Sequence, residues 1–213
     1  QHVKTPPINL HAPLQPILTN NVFERVHMDL IGPMANSHGY TYVLVIIDAF
    51  SRWIEAIPLT NKRAETVAWA LLTTWICRYG WMQILHSDNG TEFVNQVMTN
   101  ICDWLGIIRT TTTAYHPQGN GMCERANRSL KQALTCLLLE HGTGWFKALP
   151  LALWAMRSAI HRVTGYSPYQ LLFARYMRTP YDFYRQCSST DLVQVTKSML
   201  TNVMPTSKNR NSG

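Results

Sequence analysis

The spacing of apolar and polar positions changes period along the chain, and that change predicts the order of elements. Residues 23–31, FERVHMDLI, read as a strand that stops at Gly32-Pro33. Residues 40–48, YTYVLVIID, form a β-branched run typical of a buried central strand. Residues 52–58, RWIEAIP, alternate as a third strand, and the short link Ala49-Phe50-Ser51 makes the pair a hairpin. The period then becomes helical. Val67, Leu71, Leu72, Trp75 and Ile76 recur at helix spacing between about Arg63 and Tyr79, and Gly80 ends the run. A short strand at Gln83–His86 leads into the loop Ser87-Asp88-Asn89-Gly90. A helix over about Asn95–Leu105, closed by Gly106, precedes a fifth strand at Ile107–Arg109. Two long helices follow, at about Met122–Glu140 and Trp145–His161, and SPYQLLF after Gly165 reads as a capped short helix. Three antiparallel strands, then alternating helices and short strands, predict an α/β domain around a mixed sheet.

The segments outside this pattern set the expected boundaries. Residues 1–20 hold four of the eleven prolines and no helical period, so they read as an extended linker cut from something longer, with none of the features of a signal peptide. Thr110–Gly121 contains four threonines, one proline and two glycines, the composition of a mobile loop. Ser, Thr and Asn dominate from about Cys187, so 21–180 is the expected core domain and 181–213 a poorly ordered tail. No apolar run approaches the roughly 18 residues of a membrane span.

Composition narrows the partners. At 46% apolar and 10% aromatic, the chain can build a packed core. A net charge of +7 and a pI near 9.3 suit a polyanion, nucleic acid first, although a basic soluble protein of another kind has the same balance. The five cysteines, at 77, 102, 123, 136 and 187, include no C-x-x-C pair, which argues against a disulfide framework and a zinc ribbon and favours reduced thiols. The eight histidines are dispersed, so spacing assembles no Cys/His knuckle.

Three carboxylates stand out only as a set. Asp29 interrupts an apolar strand, where an unpaired charge is costly and a bound cation would compensate it; an edge-strand aspartate facing solvent is the plain alternative. Asp88 follows a short strand, where ligand sites of α/β sheets gather, but turns and N-caps also favour aspartate. Glu124 opens the long helix, where an acid also offsets the helix dipole. Asp48, at a strand end, reads as a turn residue, and Glu65 as a first-turn acid. Trp69, Trp75, Trp81, Trp104 and Trp154 read as core or subunit-interface residues rather than base-stacking ones.

Between Asp88 and Glu124 lie 35 residues. That stretch ends in Tyr115-His116-Pro117-Gln118-Gly119, and Glu124 is followed by Arg125-Ala126-Asn127-Arg128-Ser129-Leu130-Lys131. With Ile47-Asp48-Ala49-Phe50-Ser51-Arg52-Trp53, Ser87-Asp88-Asn89-Gly90-Thr91-Glu92-Phe93 and Thr164-Gly165-Tyr166-Ser167-Pro168, the sequence from about Val22 to Pro180 resembles the catalytic core of retroviral and Ty3/gypsy-type retrotransposon integrases. The Gly-Tyr-Ser-Pro segment looks more like the gypsy and gammaretroviral branch than the lentiviral one.

The resemblance implies an RNase H-like fold, with a five-stranded mixed sheet flanked by helices. It implies that Asp29, Asp88 and Glu124 hold two Mg²⁺ or Mn²⁺ ions, Asp29 bridging both. Hard cations prefer such oxygens, and two ions about 3.5–4 Å apart suit in-line displacement at phosphorus. The implied activity is DNA integration: trimming of a 3′ end with water, then joining of the new 3′-hydroxyl to target DNA. Tyr115, Gln118, Asn127, Arg128 and Lys131 are the expected DNA contacts, although Arg128 and Lys131 also suit an ordinary solvated face. A homodimer or higher oligomer is implied, with no membrane, acting in the nucleus, or in a virion or element particle. Two other readings remain. One is an RNase H-like nuclease, whose fourth carboxylate would have to be Glu65. The other is a domesticated integrase-like module that binds DNA or protein without catalysis. The zinc-binding and SH3-like domains that usually accompany such cores are not visible in this sequence.

Overall fold

A computed structural model describes residues 19–112, 121–141 and 144–178. Three strands open it: β1 (Arg25–Ile31), β2 (Tyr42–Asp48) and β3 (Ile54–Leu59). Each pairs antiparallel with the next, with Asp29 opposite Val45 and Ile47 opposite Ile54. The hairpin turn is longer than the sequence predicts. Asp48 closes it by accepting Ser51 N–H at 2.7 Å and Ser51 Oγ at 2.6 Å, and Arg52 takes φ 63° to bring the chain back. Asp48 is thus the expected turn residue, fully buried and with a carboxyl pushed up by that burial.

The next helical run has three parts: α1 (Ala64–Ala70), a π-helical stretch (Leu71–Ile76) and α2 (Cys77–Tyr79). β4 (Ile84–Ser87) then adds to the free side of β1 in parallel, and β5 (Ile108–Thr111) adds to β4, giving the order β3-β2-β1-β4-β5. Between them runs α3 (Gln96–Leu105), capped by the Asn95 side chain and ended by Gly106 in the left-handed region. α4 (Gly121–His141), α5 (Trp145–Ser158) and α6 (Pro168–Phe173) complete the described chain. α5 stops three residues short of the predicted His161, because Ala159 turns extended. α6 carries the predicted cap as a full capping box between Ser167 and Gln170.

The strand period sorts the core into two layers. Val26 and Met28 of β1, with Leu44 and Ile46 of β2, pack against α1, the π-helical stretch and α3. Ile31, Val43, Val45 and Ile47 face the other way and pack on α4 and α5. β2 is therefore covered on both sides, and each of its fully buried aliphatic side chains contributes roughly 1.5–3 kcal/mol. Asp29 shares the α4 face with Ile31, while α1 and its exposed Glu65 lie against the opposite face. Of the five tryptophans expected in the core or at a subunit interface, Trp75 is fully buried in the core. Trp69 on α1, Trp104 on α3 and Trp81 between α2 and β4 are 67%, 84% and 61% exposed.

Candidate active site

The parallel pairing of β1 and β4 brings their C-terminal ends side by side, and the first turn of α4 lies across them. Asp29, in the second half of β1, is half-buried. Its Oδ1 accepts the Leu30 N–H at 2.8 Å and its Oδ2 accepts Asn127 Nδ2 from α4 at 2.7 Å. Asp88, just past β4, accepts the Gly90 N–H at 2.9 Å, which fixes its carboxylate over the turn. Glu124 stands exposed in the first turn of α4.

The charges of Asp88 and Glu124 both reach Asp29. The Asp29 carboxyl is raised above its ordinary value by burial; the Leu30 N–H and Asn127 amide oppose this, and the charges of Asp88 and Glu124 add to it. Cys123, buried in the same helix turn, has its thiol pushed up by burial and by all three carboxylates. No salt bridge of Asp29, Asp88 or Glu124 occurs among the described residues. Nor do any three His, Cys, Asp or Glu side chains among them close on one metal-sized point. The carboxylates are therefore brought to one place without forming a finished ligand set. Their chemistry fits a hard divalent cation, since they are oxygen donors whose like charges crowd a half-buried aspartate.

Two neighbours were not singled out as site residues by sequence. Glu92 approaches Asp88: a Cβ placed on Gly90 would meet Glu92 Cδ at 2.9 Å and Asp88 Oδ1 at 3.0 Å, so a larger residue there would have to push the end of the Glu92 side chain aside. Glu92 also faces Lys62 at 3.6 Å. The second feature is a histidine pair. His27 packs against His86 in a tilted arrangement, with ring centroids 4.8 Å apart and 57° between the ring planes. Burial, then the charges of His86, Arg25 and Arg52, lower His27 to about 3, so it is neutral at any physiological pH. His86 is anchored by Thr110 and Thr112 hydroxyls at 2.9 and 3.2 Å. These histidines form the floor beside Asp29, and only the strand register reveals the pairing.

Of the expected DNA contacts, Asn127 is turned onto Asp29, whereas Arg128 and Lys131 are exposed on α4. Tyr115 and Gln118 lie outside the described residues. Glu65 stands exposed on α1, which packs on the sheet face opposite to α4, so the fold lends no support to it as the fourth carboxylate of the nuclease reading.

Comparison with known proteins places this arrangement. The integrase core domain model matches residues 20–117. The catalytic core domain of BIV integrase is 31% identical, covering 70% of this chain and 93% of that one with a TM-score of 0.58. The chain belongs to the integrase core family. Its relatives include the retrovirus-related Pol polyprotein of transposon 412 from Drosophila melanogaster, 34% identical over 76% of this chain. The Gag-Pol polyprotein of feline leukemia virus is 43% identical over 64% of it. The chain spans only 13% and 8% of those two polyproteins. The HTLV-2 integrase core, in a trimeric form in complex with magnesium, shares the fold at 19% identity, covering 70% of this chain and 95% of that one with a TM-score of 0.58. The five-stranded mixed sheet with flanking helices is thus the RNase H-like fold of the integrase cores.

Proposed function

We propose that this integrase core is the chemical module of DNA integration: a polynucleotidyl transferase that trims a DNA 3′ end and joins it to target DNA. The observation that carries the reading is the crowding of Asp29 by Asp88 and Glu124 at the ends of β1, β4 and α4. Carboxylates whose charges act on one another and that have no salt bridge among the described residues favour a cation over the unliganded state. Asp29, Asp88 and Glu124 would hold Mg²⁺ or Mn²⁺, two ions as the resemblance implies, and the magnesium complex of the HTLV-2 relative supports that choice. The bound metal would supply Lewis acidity and charge neutralisation at phosphorus.

The chain's own groups orient the ligands. The Leu30 N–H and Asn127 amide hold the two oxygens of Asp29, and the Gly90 N–H aims Asp88. Arg128 and Lys131, exposed on the helix that bears Glu124, are placed to meet the phosphates of a DNA end. Tyr115 and Gln118 retain that role as a proposal from the resemblance. The multimeric HTLV-2 relative supports a homodimer or higher assembly; action on DNA in the nucleus, or in a virion or element particle, is part of the proposal and follows from the resemblance alone.

A strand-joining assay on oligonucleotide duplexes with Mn²⁺ or Mg²⁺ tests the reading. Activity is expected in the wild type, abolished by chelation and reduced at least a hundredfold by Asp88→Asn, in line with the several kcal/mol attributed to a metal Lewis acid. Equal joining by the two proteins would overturn the metal site.

A further inference from the structure

The carboxylates use one side of α4. On the other side, Met122, Arg125, Ala126 and Ser129, spaced at i, i+3, i+4 and i+7, face a cleft of about 630 Å³ closed by β2, the β2–β3 turn and the α5–α6 connection. Its charged lining is cationic, Arg52, Arg125 and Arg128, beside the polar His161 and Ser129, with no aspartate or glutamate among the described lining residues. These charges crowd one another. The Arg52 guanidinium is destabilised by burial and then by Arg125, with partial relief from Asp48, and His161 is lowered by burial, Arg52 and Arg125.

Relief from within the chain is poor. Both oxygens of Asp48 are already engaged, by Ser51 and by the Phe23 N–H at 2.9 Å. The Arg52 guanidinium reaches only a thioether, Met122 Sδ, at 2.6 Å, and a thioether is a weak acceptor. Among the described residues, Arg52 Nε and His161 Nδ1 are buried with no hydrogen-bond partner. A buried donor such as Arg52 Nε costs free energy until an acceptor arrives. The rest of the lining is apolar, including Met122, Ile160 and Val163, the last two 70% and 79% exposed.

We propose that this cleft binds one unpaired nucleotide, its phosphate on the guanidinium groups of Arg52 and Arg125 and its base against Met122, Ile160 and Val163. Arginine forks match phosphate oxygens, and their planes stack on bases. The volume is that of a small-molecule pocket rather than of a duplex groove. An acidic peptide meets the same charge. The nucleotide is favoured because the cleft lies across a single helix from Glu124, about 10 Å in diameter, within reach of a DNA strand unpaired at the active site. That last step rests on the proposed function; the cleft's chemistry does not.

Fluorescence anisotropy with the 213-residue chain in EDTA tests the site apart from catalysis. The probes are a duplex with a 5′-phosphorylated single-stranded overhang and a blunt duplex of equal length. Wild type is expected to prefer the overhang about tenfold, and Arg125→Glu and the surface change Val163→Asp each to lose that preference. Val163→Asp should still bind blunt DNA, and both variants should keep the wild-type melting temperature. Displacement of the overhang by millimolar deoxyadenosine monophosphate shows that the cleft takes free nucleotides. Persistence of the preference without displacement assigns the site to DNA ends. No preference in the wild type, or equal loss on both duplexes in both variants, overturns the proposal. So does an oligoglutamate peptide that binds wild type but not Val163→Asp while the overhang gains nothing. Asp88→Asn should keep the preference while losing joining, so failure of the cleft and failure of the catalytic reading are separable.

Discussion

At the scale of single residues, Asn127 joins α4 to the strand beneath it. Its position three residues after Glu124 makes a phosphate contact a reasonable expectation from sequence, but its amide donates to Asp29 instead. That bond favours the ionised carboxylate against burial and the charges of Asp88 and Glu124. Removing it raises the Asp29 pKa further, so a higher pH is needed before the carboxylate can hold a cation. Asn127→Ala is therefore expected to shift the acid limb of the joining pH profile upward and to weaken activation by Mg²⁺. A residue that only touched DNA would raise KM and leave the limb where it was. Sequence order exposed Asp29, Asp88 and Glu124. It did not expose the approach of Glu92 to Asp88 or the tilted packing of His27 on His86, because both depend on contacts formed after folding.

At the scale of elements, one buried acid ties the hairpin to two helices. Glu55 of β3 accepts from Tyr79 at 2.6 Å and pairs with Arg157 of α5 at 2.6 Å, and Arg157 also donates to Ile54 O and lies over the Trp53 ring at 4.4 Å. Glu55 is 5% exposed, so its loss strands a mostly buried guanidinium. Glu55→Gln should destabilise the fold by about 3 kcal/mol, read from urea denaturation midpoints at unchanged slope. A change below 1 kcal/mol would show that Ile54 O and Trp53 satisfy Arg157 by themselves. Strands and helices were legible from period alone, with boundaries off by a residue or two. The exceptions are instructive. α5 ends at Ser158, and the β2–β3 turn takes in Arg52, because hydrogen bonds to Asp48 and the backbone of the α5–α6 connection override the local pattern.

At the scale of the whole molecule, the sheet separates two apolar layers and leaves indole rings outside both. Trp69 on α1 and Trp104 on α3 stand exposed on packed helices, where large aromatics cost solvation unless a partner covers them. Trp104→Glu is expected to convert a sedimenting dimer to a folded monomer with an unchanged far-UV spectrum. A wild-type chain that sediments as a monomer at high concentration would remove that assignment. The sequence by itself determined the element order, the mixed α/β class and the three carboxylates with their spacing, because period, breakers and motif order are local properties of the chain. The tertiary structure decided which of those carboxylates meet, that Glu65 lies on the far face, and that arginines distant in sequence share one cleft. Those outcomes follow from strand register and from the sheet face each helix packs on, which no local pattern specifies.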